Sequence, residues 1–329
     1  MRAILPCFLA LSLAPLALAC SSSPTTKEDL FGGTGGGSAG GGSSSPTPFA
    51  KPASEFSHGD PTALEQELLE LVQRARANPP EEGKIIVALD EVQGAIQQYG
   101  IDKQQIIDAF AIIAPAPPLT FDTHLMASAK VHSEDMATNG FQEHVGTNGK
   151  DPFQRMSDAG YKYSFASENI FAHAESMPFC HAAFLIDWGN AEPGHREAIL
   201  DMKGRQRDLG ISVIEDPPNA NVGPRVVTQD FGMPLSDKAR YLVGVAYGDA
   251  NNNGAYDAGE GGAGFTVVAD TGSSYAVTGA SGGYAIPLPA KAGAVKVQLW
   301  KPDGVVMFER EVVLAGDNVK LDFVMPQVE

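Results

Sequence analysis

Phe141-Gln142-Glu143-His144, Ser167-Glu168-Asn169-Ile170, Gly194-His195-Arg196 and Thr228-Gln229-Asp230-Phe231-Gly232 form one discontinuous constellation in the middle of the chain. Its first three segments each carry a group that binds divalent metal or exchanges protons near neutral pH: His144, Glu168 and His195. Three such ligands on one ion would leave positions open for water or substrate. The surrounding pattern is mixed. Leu125, Ala129, His132 and Met136 fall on one stripe of a helix expected over 123–139, so His132 reads as a packed histidine. A helix is expected over 178–188 and a short one from Pro193, then strands over 209–214 and 225–231.

In that order the four segments resemble the CAP superfamily (cysteine-rich secretory proteins, antigen 5, pathogenesis-related proteins), in its cysteine-poor bacterial branch. The resemblance covers about residues 60–234. It implies an α+β fold, a CAP-type α-β-α sandwich in which helices enclose a small antiparallel sheet. It also implies that His144, Glu168 and His195 meet at the floor of a surface cleft, holding zinc or another divalent ion. Family members with two acids place the second three residues after a helix tryptophan. Counted from Trp188 that position is Ala191, and the nearest carboxylates are Asp187 and Glu192. The expectation is therefore a triad rather than a tetrad.

The 329-residue chain has room for two domains and tails. Its net charge of −17 opposes a nucleic-acid partner, whose phosphates would repel it. The N-terminus reads as a secretory signal over 1–19: Arg2, an apolar run from Ile4 to Leu18, then Ala17-Leu18-Ala19 before Cys20. That boundary resembles a bacterial lipobox, which implies lipidation of Cys20 and a membrane partner through that anchor. Cys7 would leave with the signal, so Cys180 is the remaining thiol and no internal disulfide is expected. Its apolar setting reads as a structural cysteine. Residues 20–59, rich in Gly, Ser and Pro, read as a flexible tether of roughly 35 Å r.m.s..

The first core helix is expected from Asp60 as N-cap and Pro61, with Asn78-Pro79-Pro80 as its stop. Residues 81–116 read as a helical insertion of two helices, 85–99 and 102–113. After a linker near Leu235, residues 238–329 read as an all-β sandwich with strands over 241–247, 265–269, 274–278, 284–287, 294–300, 305–313 and 319–324. Val277 to Ile286 resembles the turn-and-strand signature of carboxypeptidase-regulatory-like and collagen-adhesin-B-type modules. Asp249, Asn251, Asn253, Asp257 and Glu260 stand at positions 1, 3, 5, 9 and 12 of a calcium-loop pattern, with Gly254 at 6 and the Ala255 carbonyl at 7. Calcium is the cofactor expected there.

Two functions follow. One is capture of a lipid, glycan, peptide or other small molecule by the cleft of a lipid-anchored protein in the bacterial envelope, at the outer membrane rather than the inner. The other is metal-assisted hydrolysis of envelope or extracellular substrates. No nucleophile elbow surrounds Ser167, which favours binding.

Overall fold

A computed structural model describes residues 46–188, 193–236, 239–289 and 293–326. The signal, Cys20, residues 21–45 of the tether, Ala191, Glu192 and the centre of the linker, 237–238, lie outside the described residues. The chain from Ser45 to Glu329 forms one compact unit.

The tether ends earlier than composition indicates. Strand β1 (Ser54–Glu55) pairs in parallel with a C-terminal strand, Ser54 opposite Ser274. Upstream, Phe49 packs against Trp300, and its N–H donates to Gln298 Oε1 at 3.0 Å. Lys51 lies over the Tyr275 ring. His58 is buried and stacks on Phe121, ring centroids 5.9 Å apart. Residues 46–59 are therefore a strap on the folded body.

Helix α1 (Ala63–Ala77) starts at Thr62, not Asp60. Thr62 and Glu65 form a capping box: Thr62 Oγ1 accepts from the Glu65 N–H, and Glu65 Oε2 accepts from the Thr62 N–H. Two otherwise orphaned donors are thereby satisfied, and Asp60-Pro61 is left outside. Asn78 ends α1 and also caps α2 (Pro79–Ala88), with Pro79 and Pro80 in its first turn. The prolines open a helix as well as closing one. The expected helix over 85–99 is broken: Leu89 is extended, a 3-10 turn follows at Asp90–Val92, and α3 (Gln93–Tyr99) starts afresh. Helix α4 (Lys103–Ala111) completes the segment. Ile86, Val92, Ile96 and Phe110 share one apolar core with Leu68 and Val72 of α1. The inserted segment is thus part of the main core.

Next come β2 (Thr120–Phe121), α5 (Thr123–Asn139), α6 (Pro152–Asp158), β3 (Tyr163–Phe171), α7 (Met177–Ile186), α8 (Gly194–Ile199), β4 (Asp208–Glu215) and β5 (Arg225–Pro234). The sheet order is β2-β4-β5-β3, with β2 parallel to β4 and the other pairs antiparallel. Leu209 and Ile211 face the core beneath α1 and α7. Helix α5 covers the opposite face through Leu125 and Met136. The approach there is close: a Cβ on Gly210 would stand 2.1 Å from the Leu125 carbonyl carbon, so only glycine lets α5 lie on β4.

The C-terminal part holds β6 (Arg240–Tyr247), β7 (Thr266–Ala269), β8 (Ser274–Val277), β9 (Gly283–Leu288), β10 (Gly293–Trp300), β11 (Val306–Leu314), β12 (Val319–Lys320) and β13 (Phe323–Val324). The strand expected over 319–324 is two short pieces that pair in parallel with β6. One sheet runs β1-β8-β7-β10-β11; the other gathers β12, β13 and β9 on β6. Leu242 and Ile286 from one sheet share a core with Val267, Val297 and Leu299 from the other. The molecule is α+β, a helix–sheet–helix body followed by an all-β region. The two parts join through a Glu70–Lys320 ion pair at 2.8 Å and through Asn318, whose amide donates to the Pro118 carbonyl at 3.0 Å.

Candidate functional site

Strand β3 forms one edge of the first sheet, and its consecutive residues Glu168 and Asn169 point to opposite faces. Glu168 turns toward α5 and α6. Its side chain is 1% exposed, and Oε1 stands 2.8 Å from His144 Nδ1. Oε2 accepts from Arg155 Nη2 of α6. Both carboxylate oxygens are engaged, so Glu168 orients His144 rather than standing free as a ligand.

The loop carrying His144 is fixed residue by residue. Phe141 meets the His132 ring edge-on at 6.2 Å, and Gln142 Oε1 accepts from the Ala172 N–H. The Glu143 carbonyl bonds to His132 Nε2 at 2.9 Å, and the His144 carbonyl accepts from Arg155 Nη1 at 2.9 Å. His132 is fully buried, as its helical stripe requires, and burial lowers its pKa against the opposing pull of Glu168. Asp230 lies directly opposite Glu168 in the sheet and is also fully buried. Burial first, and then the charge of Glu168, pushes its carboxyl well above the usual range, favouring the neutral form.

His195 sits in the first turn of α8, with Nδ1 2.7 Å from Asp187 Oδ1. The same carboxylate accepts the His195 N–H at 3.1 Å. Asp187 ends α7 in the left-handed region at φ 61°, a conformation uncommon for a side-chain-bearing residue. Its side chain is 2% exposed. Arg196 donates to the Leu185 and Ile186 carbonyls, satisfying the end of α7. The acid beside His195 is thus Asp187, and the expected triad becomes two pairs, Glu168–His144 and Asp187–His195. Asn169 links them: its amide donates to the His195 carbonyl at 3.3 Å and to Gln229 Oε1 at 3.2 Å. Each imidazole spends Nδ1 on its acid and keeps Nε2. The His144 side chain is 51% exposed and that of His195 25%. Among the described residues, no group of three or more His, Cys, Asp or Glu side chains is arranged to hold a metal.

Residues 114–231 match the family model described as CAP: Cysteine-rich secretory protein family. This CAP segment contains both histidine–carboxylate pairs; α1 to α4 and the C-terminal sheets lie outside it. The chain is 34% identical over 84 residues to the uncharacterized protein YkwD of Bacillus subtilis (strain 168), covering 26% of this chain and 31% of that protein. It therefore spans about a third of that relative's length. A crystal structure of an extracellular protein containing a SCP domain, from Bacillus anthracis str. Ames, aligns with TM-score 0.29 and 24% identity over 42% of this chain and 40% of that one.

Neither of the two candidate nucleophiles that the sequence singles out in the CAP segment, Cys180 and Ser167, is activated. Cys180 is fully buried, and burial pushes its thiol up, away from the reactive thiolate. Ser167 Oγ is buried and has no hydrogen-bond partner to act as its base.

Outside the CAP segment, the loop from Asp249 to Glu260 closes on itself. Asp249 accepts the N–H groups of Asn253 and Gly254 at 3.0 and 2.9 Å. Glu260 accepts those of Ala250 and Asp257 at 2.8 and 3.0 Å. Asp257 Oδ2 takes the amides of Asn251 and Asn253. Gly254 at φ 75° makes the turn that the pattern assigns to glycine.

Proposed function

We propose that the chain is an extracytoplasmic, lipid-anchored binding protein of the bacterial envelope, at the outer membrane rather than the inner, whose ligand surface is formed by the imidazoles of His144 and His195. One observation carries this reading. Each imidazole is held through Nδ1 by a buried carboxylate, so each ring keeps a fixed orientation and leaves Nε2 available without further ordering cost. Such a surface suits a lipid headgroup, glycan or peptide offering hydrogen-bond acceptors or donors. It also suits zinc or another divalent ion by donor chemistry. The ligands would be the Nε2 atoms of His144 and His195, with Glu168 and Asp187 behind them fixing each ring through Nδ1; a bound ion would act there as a Lewis acid. The anchor rests on Cys20 and its flanking sequence. Among the described residues no helix is long and apolar enough to cross a membrane.

The C-terminal loop is proposed to hold calcium. Its oxygens at Asp249, Asn251, Asn253, Asp257 and Glu260, with the Ala255 carbonyl, suit a hard cation. The Asn251 and Asn253 amides would rotate to present oxygen in place of nitrogen.

The test is calorimetric titration of zinc or nickel into the chain from Ser45 on, carrying Glu260→Gln to silence the loop. Binding is expected to weaken as pH falls through the imidazole range, about 6 to 7, and to vanish in His144→Ala/His195→Ala. Undiminished binding in the double variant would remove the metal from this surface. A polar ligand surface would remain, to be probed by glycan and lipid arrays with the same variant as control.

A further inference from the structure

A second recess lies where α1 packs against β6 and the loop from Asp249 to Glu260. It encloses about 350 Å³. Its acids outnumber its bases: Glu67, Glu70, Asp257 and Asp322 line it with Arg74 and Lys320. Both bases are already committed. Lys320 pairs with Glu70 and Asp322, and Arg74 forms a two-point pair with Glu82 at 2.7 Å. Glu67 has no ion-pair partner among the described residues, although it is only 9% exposed and accepts the Ala258 N–H.

Beside it stands Tyr256, 6% exposed, a residue of the recess lining whose buried hydroxyl has no hydrogen-bond partner. A buried hydroxyl left unpaired is costly, on the order of 1–3 kcal/mol. A group held at such a cost points to something that completes it. Tyr247 meets the Tyr256 ring edge to face at 5.8 Å, so two aromatic rings border the same space. Leu71, Ile85 and Val245 supply an apolar part of the wall.

We propose that this recess binds a small organic cation, an alkyl or arylalkyl ammonium, with its charged head between Glu67 and Tyr256 and its carbon body against Leu71 and Ile85. Each part of the lining selects one part of that ligand. An unpaired carboxylate and a tyrosine oxygen accept N–H bonds, and aromatic rings attract an ammonium. The excess of acids repels anions. The apolar wall is wasted on a hydrated metal ion but buries a hydrocarbon stem. Glu67, Tyr256, Leu71 and Ile85 lie outside the CAP segment and the site uses neither His144 nor His195, so it is separate from the histidine surface proposed above; it shares Asn253, Ala255 and Asp257 with the proposed calcium loop, which is why calcium is kept in excess in its test.

Phenethylammonium chloride and neutral 2-phenylethanol are the probes, titrated by calorimetry and saturation-transfer NMR into the chain from Ser45 on with calcium in excess. The ammonium is expected to bind one to one and at least tenfold tighter than the alcohol. Glu67→Gln and Tyr256→Phe should each weaken it, Glu67→Gln by tenfold or more, with melting temperatures near wild type. His144→Ala/His195→Ala should leave it unchanged. Should Glu67→Gln fail to fold, Tyr256→Phe reads the same site while keeping the ring. The proposal is overturned if neither probe binds, if the two bind equally, if Glu67→Gln and Tyr256→Phe both bind as wild type, or if calcium displaces the ammonium, which would place it in the loop instead.

Discussion

His58 makes docking of the N-terminal strap sensitive to acid. Its ring is buried against Phe121, and burial lowers its pKa from 6.5 to about 4. The folded state therefore prefers neutral imidazole. The stability this represents is fully present above pH 6.5 and is lost as pH falls toward 4. Between pH 7 and pH 5 the linkage relation gives a loss of about 2 kcal/mol. At roughly 2 °C per kcal/mol for a unit of this size, that is about 4 °C in melting temperature. His132 and His181 are also lowered by burial and lose stability in the same direction, while Glu67, raised to about 7 by burial and Asp257, acts oppositely. The His58 share is thus read as a difference. His58→Phe keeps a ring against Phe121 and removes the titration, so its melting temperature should fall about 4 °C less than wild type between pH 7 and 5. Hydrogen exchange at the Phe56 amide, which donates to the Tyr275 carbonyl at 2.8 Å, should quicken at pH 5 in wild type alone. Equal pH dependence in both proteins would refute the argument.

Glu168→Gln removes the anionic partner of a guanidinium whose side chain is only 3% exposed, and should cost about 3–5 kcal/mol in urea unfolding; an unmoved midpoint would show that Arg155 finds another partner. Gly210→Ala forces α5 off β4 and should cost about 2–4 kcal/mol by overpacking, with a wild-type melting curve as the contrary result. Calcium should stabilise the chain from Ser45 on by about 2.7 kcal/mol at a hundredfold excess over Kd, read as a rise in melting temperature, with magnesium weaker and Glu260→Gln largely unresponsive. Equal melting with calcium, magnesium and chelator would leave a plain turn. Labelled fatty acid should enter the wild-type chain in cells but not Cys20→Ser, and equal labelling would place the anchor elsewhere.

The elements that sequence revealed are those whose apolar residues follow a simple period. The stripe Leu125, Ala129, His132, Met136 marks α5, and Leu209, Ile211 and Val213 alternate along β4. Strand β3 escaped because polar Ser167, Glu168 and Asn169 interrupt its apolar residues; Asn169 and the Glu168 side chain are buried against partners, not water. Strand β1 escaped for another reason. Two residues in a Pro- and Ser-rich run carry no pattern, and their pairing with Ser274 and Tyr275 comes from chain more than two hundred positions away. A signal for the α1 start was present in Thr62-x-x-Glu65, a capping box hidden behind the more familiar Asp-Pro pair.

The site was legible in its histidines and illegible in what holds them. His144 and His195 each stand in a short motif, whereas Arg155 and His132, which pin the His144 loop, come from α6 and α5 and meet only in the fold. The second acid shows why counting failed. Spacing three residues beyond Trp188 presumes that the helix continues there, but α7 ends at Ile186. At Asp187 the chain turns left-handed, so that residue leaves the helical register and its carboxylate swings to the start of α8. There it accepts one backbone N–H and one imidazole, a task that helix geometry could not have given to a residue still inside α7. The uncommon φ at Asp187 and the orientation of His195 are therefore one structural fact. Asp187→Asn tests it: the short side chain still tolerates the left-handed turn and can accept the His195 N–H, but the charge behind the imidazole is gone. The fold should hold within about 1 kcal/mol of wild type, while the His195 ring, losing its charge-assisted bond, should lose its fixed orientation, followed by NMR as averaging of its ring signals. An equally ordered His195 ring in a folded Asp187→Asn protein would mean that the carboxylate serves the turn alone.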